Sequence, residues 1–269
     1  MKIGIGTYAL DWSIGVPGSE PEHPMDAFQV VEFAKDVRAE VIQFGDNLPL
    51  HMLEEIHFER LLSVTKSYGI DLEVGIRGIQ PENLKKYIRI ARRCGSNILR
   101  AVIEANDFHP EIPEIIDIIR DAAGHLRENG VVLALENHDR FKAAQFAEII
   151  EAVGTDVSGI CLDTVNSFGA LEGPDVVIGT LIDYVVNLHV KDFRIYRPPH
   201  NMGFLIEGTP AGEGMLDIPS LVHMLKKRRT CSNVILELWP TPEKIPEDTA
   251  EKEKRWVRRS MEYLLGLQF

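Results

Sequence analysis

Short apolar runs and longer amphipathic segments alternate along the whole chain. Apolar runs of about four to seven residues, bounded by polar or turn-forming residues, are typical of strands buried on both faces. They predict eight strands, at residues 2–7, 41–44, 71–76, 98–102, 131–135, 159–162, 184–190 and 234–238. Apolar positions at helical spacing predict helices at residues 26–35, 57–68, 81–94, 113–129, 143–153, 174–180, 219–229 and 250–265. Such alternation indicates a parallel sheet.

Eight strand and helix units in 269 residues fit a closed barrel better than an open doubly wound sheet, which usually stops near six strands. Gly4 and Gly6 begin the glycine pattern of a dinucleotide site, but the third glycine is missing, so no such site is expected. We predict an α/β fold, a (β/α)8 TIM barrel, as a single domain over residues 1–269. Residues 8–18 and 193–214 are predicted loops, and the second, with three prolines and four glycines, is a candidate lid.

Four successive predicted strands end in an acid or a histidine, namely Glu136, Asp163, His189 and Glu237. The carboxyl ends of barrel strands surround one cavity, so we expect these side chains to converge. Each residue alone is more often a helix cap or a salt-bridge partner, but four on successive strand ends make coincidence a poor explanation. Three carboxylates and one imidazole suit Mn²⁺, Mg²⁺, Co²⁺ or Zn²⁺, and a divalent cation would relieve the repulsion among the carboxylates.

Composition narrows the choice of partner and compartment. A formal net charge of -12 argues against nucleic acid, which needs a basic surface. Hydrophobic residues make up 45% and charged residues 26% of the chain, as in ordinary globular proteins. We expect no membrane segment and a cytoplasmic location, because no signal peptide and no long apolar run is found. The three scattered cysteines fit reduced thiols.

The strand ends also carry recognisable motifs. They are Leu-Glu-Asn-His at 135–138, Cys-Leu-Asp-Thr at 161–164, Asn-Leu-His-Val-Lys-Asp at 187–192, Gly-Glu-Gly at 212–214 and Leu-Glu at 236–237. In this order they resemble the xylose isomerase-like TIM barrel superfamily of sugar isomerases, ketose 3-epimerases, inosose dehydratases and abasic-site endonucleases. The resemblance implies that Glu136, Asp163, His189 and Glu237 bind one divalent metal ion, with Mn²⁺ the first choice, and that Glu136 and Glu237 form an acid/base pair.

The sequence departs from the endonuclease branch of that superfamily. Members of that branch have a histidine three residues after the aspartate and an Asp-x-His before the Gly-x-Gly turn, which hold further metal ions. Here the first position is Asn166, and residues 209–211 are Thr-Pro-Ala. Together with the acidic net charge, this disfavours DNA repair.

Four further residues are candidate substrate contacts. His138 and Lys191 lie two positions beyond a proposed ligand, and alternate residues of a strand share a face. The alternative for His138 is that it forms a hydrogen bond to a metal ligand and does not touch the substrate. Arg194, in the predicted 193–214 loop, is a candidate clamp for an anionic group, with a solvated loop arginine as the alternative. Trp12 is a candidate wall for a sugar ring, with plain packing as the alternative. Arg100 is a weaker candidate at a strand end.

The leading hypothesis is a divalent-metal-dependent isomerase or epimerase that acts on a small carbohydrate substrate, a ketose or a relative, through an enediolate. The alternative is a lyase, a decarboxylase or dehydratase, that acts on a 3-oxo sugar acid or an inosose through the same intermediate. A non-catalytic sugar-binding barrel is the hypothesis from another class. A homo-oligomer is left open, because barrels of this size often pair.

Overall fold

Eight parallel strands form a closed barrel in the structure, a computed structural model that describes residues 1–267. The barrel strands are β1 (Lys2–Gly6), β2 (Val41–Phe44), β3 (Asp71–Arg77), β4 (Ile98–Val102), β5 (Val132–Glu136), β6 (Ser158–Asp163), β7 (Val185–Val190) and β10 (Asn233–Leu236). Around the barrel the order is β1, β10, β7, β6, β5, β4, β3, β2. The predicted (β/α)8 barrel is confirmed, and β10 closes it by pairing with β1 in the register Lys2 to Asn233.

Helices surround the barrel and cover its outer face. Within the described residues they are α1 (Asp11–Ile14), α2 (Ala27–Asp36), α3 (Glu55–Tyr68), α4 (Pro81–Cys94), α5 (Ile112–Asn129), α6 (Ala143–Val153), α7 (Pro174–Leu181), α8 (Ile218–Arg228) and α9 (Pro246–Gly266). Their apolar faces pack on the strands in one continuous core. The helices found within residues 1–267 are too short or too polar to cross a bilayer.

Local chemistry sets where several helices begin and end. Asp26 caps α2 by accepting the backbone N–H of Gln29, whose side chain in turn accepts the N–H of Asp26. Gly69 ends α3 in the left-handed conformation, at φ 70°, which is the conformation expected of a glycine directly after a helix. These caps satisfy backbone groups that a helix end would otherwise leave without partners.

Two segments predicted as loops contain regular structure. The segment after β1 holds a 3-10 turn, Thr7–Ala9, and the short helix α1. The segment after β7 was predicted to be an irregular loop, and this prediction is wrong: it folds into a two-stranded antiparallel hairpin, β8 (Asp192–Tyr196) and β9 (Leu205–Thr209). Its apolar residues do not alternate cleanly with polar ones, so the strand period was hidden.

Gly4 and Gly124 provide a test of how tightly the barrel is packed. A Cβ added at Gly4 would overlap the backbone carbonyl of Val41 on the neighbouring strand, whereas at Gly124 in α5 it would meet no atom within 4 Å. We expect Gly4→Ala to lower the free energy of unfolding by about 3 kcal/mol and Gly124→Ala to raise it by about 0.5 to 1 kcal/mol. Urea unfolding of both variants measures the difference, and equal effects would contradict the packing described.

Candidate metal and substrate site

Four polar side chains meet at the carboxyl end of the barrel, on the neighbouring strands β5, β6, β7 and β10. Glu136, Asp163 and His189 lie in β5, β6 and β7, and Glu237 directly follows β10. All four are at most 2% exposed. His189 Nδ1 is 3.2 Å from Glu237 Oε1 and 3.4 Å from Glu136 Oε2. The structure therefore brings together the residues predicted as metal ligands.

His189 is oriented as a metal ligand would be. Its Nε2 lies 2.7 Å from Gln43 Oε1, which can only accept, so Nε2 carries a proton and Nδ1 is the nitrogen that can bind either a second proton or a cation. Nδ1 is buried and has no hydrogen-bond partner among the described residues, although two carboxylates face it. Asp163, His189 and Glu237 each offer a ligand atom within 4.8 Å of the others. These residues fit a divalent cation, which would bind Nδ1 in place of a proton.

Cys161 is also close to Glu136 and His189. Burial, and after it the charge of Glu136, raises the pKa of this thiol well above its usual value. A protonated thiol is a poor ligand. The oxygen atoms of Asp163 and the two glutamates are therefore the better partners for a cation beside His189.

Two cations lie among the carboxylates. Arg100 is 3% exposed at its side chain; its Nε donates to Glu136 Oε2, and its Nη1 lies 3.1 Å from Asp46 Oδ1. Lys191 Nζ is 2.9 Å from Asp163 Oδ2 and 2.9 Å from Glu237 Oε2, but outside hydrogen-bonding angles. Buried charges need such pairing to offset lost hydration.

The charges keep both glutamates ionised. Burial alone would raise the pKa of Glu136, but the charges of Arg100 and His189 outweigh it and lower the pKa. For Glu237, burial would likewise raise the pKa, but the charges of His189 and Lys191 hold the pKa well below its ordinary value. The pKa of Lys191 is raised, because Asp163 and Glu237 outweigh its burial, so this ammonium stays protonated. Glu136 and Glu237 are thus ready ligands and weak bases.

A polar network behind His189 fills the barrel interior. Glu73, which is 2% exposed, accepts hydrogen bonds from Gln43 Nε2 at 2.9 Å and from Asn187 Nδ2 at 2.9 Å. Asn233 Nδ2 donates to the same carboxylate. Because Gln43 donates to Glu73, its carbonyl oxygen faces His189, so the network fixes the His189 ring and tautomer.

We therefore expect Gln43→Met to weaken binding of a divalent cation about 10- to 100-fold, because His189 loses the acceptor that holds its Nε2 proton. Isothermal titration of the metal-free protein with Mn²⁺ or Co²⁺ measures this affinity. Gln145→Met, which changes the first turn of α6, is the control and should leave the affinity unchanged. Equal affinities for wild type and Gln43→Met would contradict the role given to Gln43.

A cavity of about 340 Å³ opens beside the cluster. Lys191 and Asn166 connect the cavity with the cluster, because both line the cavity and both contact clustered carboxylates. Asn166 Nδ2 donates to Glu136 Oε1 at 2.7 Å. His138 lines the same cavity, and its Nδ1 lies 2.6 Å from Asp139 Oδ1. Trp239 forms another part of the wall. The cavity is large enough for a small carbohydrate.

Comparison with known proteins identifies the family to which this barrel belongs. The sequence model of the family described as xylose isomerase-like TIM barrel matches residues 28–260. The chain belongs to this family.

Individual relatives are enzymes of several reaction types. The chain is 30% identical to a 3-oxo-isoapionate decarboxylase of Pectobacterium atrosepticum over 264 residues, which are 98% of this chain and 95% of the relative. The fold matches D-psicose 3-epimerase of Clostridium cellulolyticum, solved with D-tagatose, with a TM-score of 0.72, 16% identity and 99% of each chain covered. It also matches a xylose isomerase-like protein of Mycobacterium smegmatis, solved with magnesium, with a TM-score of 0.69, 14% identity and 97% of each chain covered. At these identities the two structures show a shared fold.

In this xylose isomerase-like barrel, two of the predicted substrate contacts, Arg194 and Trp12, are not among the described residues that line the cavity. Arg194 is on the hairpin, 58% exposed at its side chain, and its Nη2 lies 2.8 Å from Glu207 Oε2. Trp12 is in α1, and its backbone N–H donates to Glu253 Oε1 at 3.0 Å. His138 and Lys191 line the cavity, and substrate contact by any of the four stays a prediction.

Glu253 of α9 ties α1 to the barrel. Its carboxylate accepts the backbone N–H groups of Trp12 and Ser13 and the Ser13 hydroxyl, at 2.8 to 3.0 Å. Burial outweighs these hydrogen bonds and raises the pKa of Glu253 from 4.5 to about 8. A shift of this size makes Glu253 a pH-dependent contributor to stability.

We expect the free energy of unfolding to fall by a few kcal/mol between about pH 4.5 and about pH 8, since one pKa unit corresponds to about 1.4 kcal/mol. In this range the folded protein keeps the Glu253 proton that the unfolded chain has released, and above pH 8 the effect is complete. Glu253→Gln should remove this part of the slope, as measured by urea unfolding across the range. An identical slope in the variant would show that Glu253 does not cause it.

Four residues near the cluster were missed by, or given little weight in, the sequence analysis. They are Gln43, Arg100, Asn166 and Trp239. Gln43 and Arg100 are polar residues inside otherwise apolar strands, a pattern that could have indicated side chains facing the barrel interior. Asn166 and Trp239 follow strands in connecting segments, where periodicity gives no direction.

Proposed function

We propose that this chain is a divalent-metal-dependent lyase that decarboxylates a 3-oxo sugar acid. The observation that carries the proposal is that both glutamates of the cluster are ion-paired, Glu136 with Arg100 and Glu237 with Lys191. The full-length relative at 30% identity, a 3-oxo-isoapionate decarboxylase, supports it independently. In this proposal Glu136, Asp163, His189 and Glu237 hold the cation, with Mn²⁺ as the metal to test first.

The ion pairs favour decarboxylation because of what each reaction requires. Epimerisation at a carbon beside a carbonyl needs a base to remove a C–H proton, and a carboxylate paired with a buried cation is a weak base. Loss of CO₂ from a 3-oxo acid needs no such base. The bond between the carboxyl carbon and C2 breaks, its electron pair forms the enolate on the C3 oxygen, and a proton then adds to C2.

The side chains around the cavity have separate tasks in this reaction. A bound divalent cation would supply a Lewis acid for the 3-oxo group. Lys191, held protonated by its acidic neighbours, supplies a positive charge for the oxygen on which negative charge develops. Asn166 positions Glu136 by its 2.7 Å hydrogen bond. His138 faces the same cavity and can bind a substrate hydroxyl.

The second candidate is a ketose 3-epimerase. Carboxylate oxygens of Glu136 and Glu237 lie 3.4 and 3.2 Å from His189 Nδ1, so both carboxylates would be close to a substrate bound next to the cluster. For that reaction one glutamate must give up its ion pair when substrate binds, and the pair then acts as acid and base.

Product analysis in D₂O separates the two candidates. Protein loaded with Mn²⁺, Mg²⁺, Co²⁺ or Zn²⁺ is incubated with 3-oxo sugar acids, including 3-oxo-isoapionate, and with ketoses such as D-psicose. A decarboxylase releases one CO₂ per substrate consumed and places one deuterium on the carbon that carried the carboxyl group. Deuterium exchange into a ketose without CO₂ release would support the epimerase and contradict the lyase.

We expect Lys191→Met to lower kcat/KM for decarboxylation by at least about 100-fold, because a charge aimed at the developing oxyanion is lost. Titration should show that the variant still binds the divalent cation, and at least as tightly as wild type, because the four ligands remain and a competing positive charge beside Asp163 and Glu237 is removed. Lys66→Met, at an exposed position of α3, is the control. If Lys191→Met retained full activity, the role assigned to this ammonium would be wrong.

A further inference from the structure

Exposed apolar side chains are concentrated in one short part of the chain. Of the twelve large hydrophobic residues that are exposed within residues 1–267, six lie between Ile195 and Met215. Met202 and Phe204 at the end of the hairpin are 76% and 63% exposed. An apolar surface of this density on a water-soluble chain marks a contact with another molecule.

The hairpin that carries them is firmly attached at its base. The carboxylate of Asp192 accepts backbone N–H groups of Phe193, Gly212, Gly214 and Leu216, at 2.8 to 3.1 Å. Two strands alone are marginally stable in water, so a projecting hairpin gains from being covered. Asp192 holds the base in place and leaves the apolar end accessible.

The same molecule has a groove next to the hairpin. It measures about 520 Å³, runs between α7 and α8, and is lined largely by apolar side chains, among them Phe168, Ile195, Met215 and Met224. Ile195 belongs to both the hairpin and the groove wall. A projection and a groove side by side on one surface allow two copies to bury both around a twofold axis.

The surface carries positive charge on the hairpin and negative charge at the rim of the groove, so two copies can pair opposite charges. Residues 194–206 contain two arginines and one histidine but no carboxylate, within a chain of net charge -12. Arg194 is paired with Glu207, whereas Arg197 contacts the backbone oxygen of Asn201 and the ring of Phe204. The rim of the groove carries Asp175 and Asp217, both exposed. A second copy offers Arg197 an acidic surface at the groove.

We propose that the β8–β9 hairpin and the groove between α7 and α8 form the interface of a homodimer. An interface of standard size buries roughly 800 Å² on each partner, and the hairpin and the groove can both contribute to it because Ile195 and Met215 belong to the exposed side chains and to the groove wall. Because the same surface supplies the apolar projection, the groove and both signs of charge, a second copy of this chain fits it.

The interface also reaches the substrate cavity. Ile206 of β9 is 42% exposed and lines the cavity that holds Lys191 and His138. A partner that packs on the hairpin therefore fixes one wall of that cavity. The proposal is independent of which reaction takes place there.

Sedimentation velocity over about 1 to 100 µM protein tests the interface. We expect wild type to be a dimer and the double variant Met202→Glu, Phe204→Glu to be a monomer, with a dimer dissociation constant raised at least about 100-fold. Both positions are exposed, so circular dichroism should show an unchanged fold. Metal titration of the variant checks that the cluster is intact.

Met52→Glu and Ile56→Glu are matched controls, because these residues are 73% and 72% exposed but lie elsewhere, near the start of α3. Both control variants should remain dimers. A monomeric wild type at about 100 µM, a hairpin variant that still dimerises, or control variants that dissociate equally would each overturn the proposal. So would binding of a monomeric wild type to phosphatidylcholine vesicles, which would identify a lipid surface as the occupant.

Discussion

Charge balance in the buried mouth of the barrel constrains the rest of the site. Three carboxylates, from Glu136, Asp163 and Glu237, are removed from water there. Removing a carboxylate from water costs several kcal/mol unless opposite charge is close. Arg100 and Lys191 supply two positive charges, and a divalent cation beside His189 would offset the negative charge that remains. The cations that offset the cost of burying the carboxylates also make these carboxylates weak bases. The charge balance that folding requires therefore limits how readily they accept a proton.

The column of polar side chains below the cluster extends this balance into the barrel. Glu73 is surrounded by the amides of Gln43, Asn187 and Asn233, which share its charge through hydrogen bonds. Burial still raises the pKa of this carboxyl. The network thus fills the barrel interior below the charged residues at the mouth, and Gln43 is the residue through which it holds the His189 ring.

The barrel was predictable from the sequence because its strands are short apolar runs bounded by polar residues, and its helices have clear periodicity and often end at a glycine. The convergence of residues 136, 163, 189 and 237 followed from one rule, that parallel strands end on the same rim. Their metal binding stays a prediction. The hairpin was missed because its exposed apolar residues, such as Phe204 and Leu205, break the usual alternation. The pairing of Arg194 with Glu207 could not be predicted either, because the two lie opposite each other only in the hairpin register, and a substrate contact of Arg194 stays a prediction.

The position of β10 has a consequence for folding. This strand closes the barrel between β1 and β7. Glu237 directly follows β10, so it joins Glu136, Asp163 and His189 only when the barrel closes. A folding intermediate in which β10 has not yet docked has three of the four side chains and an open sheet edge, and the complete cluster therefore forms in the same step as the closed barrel.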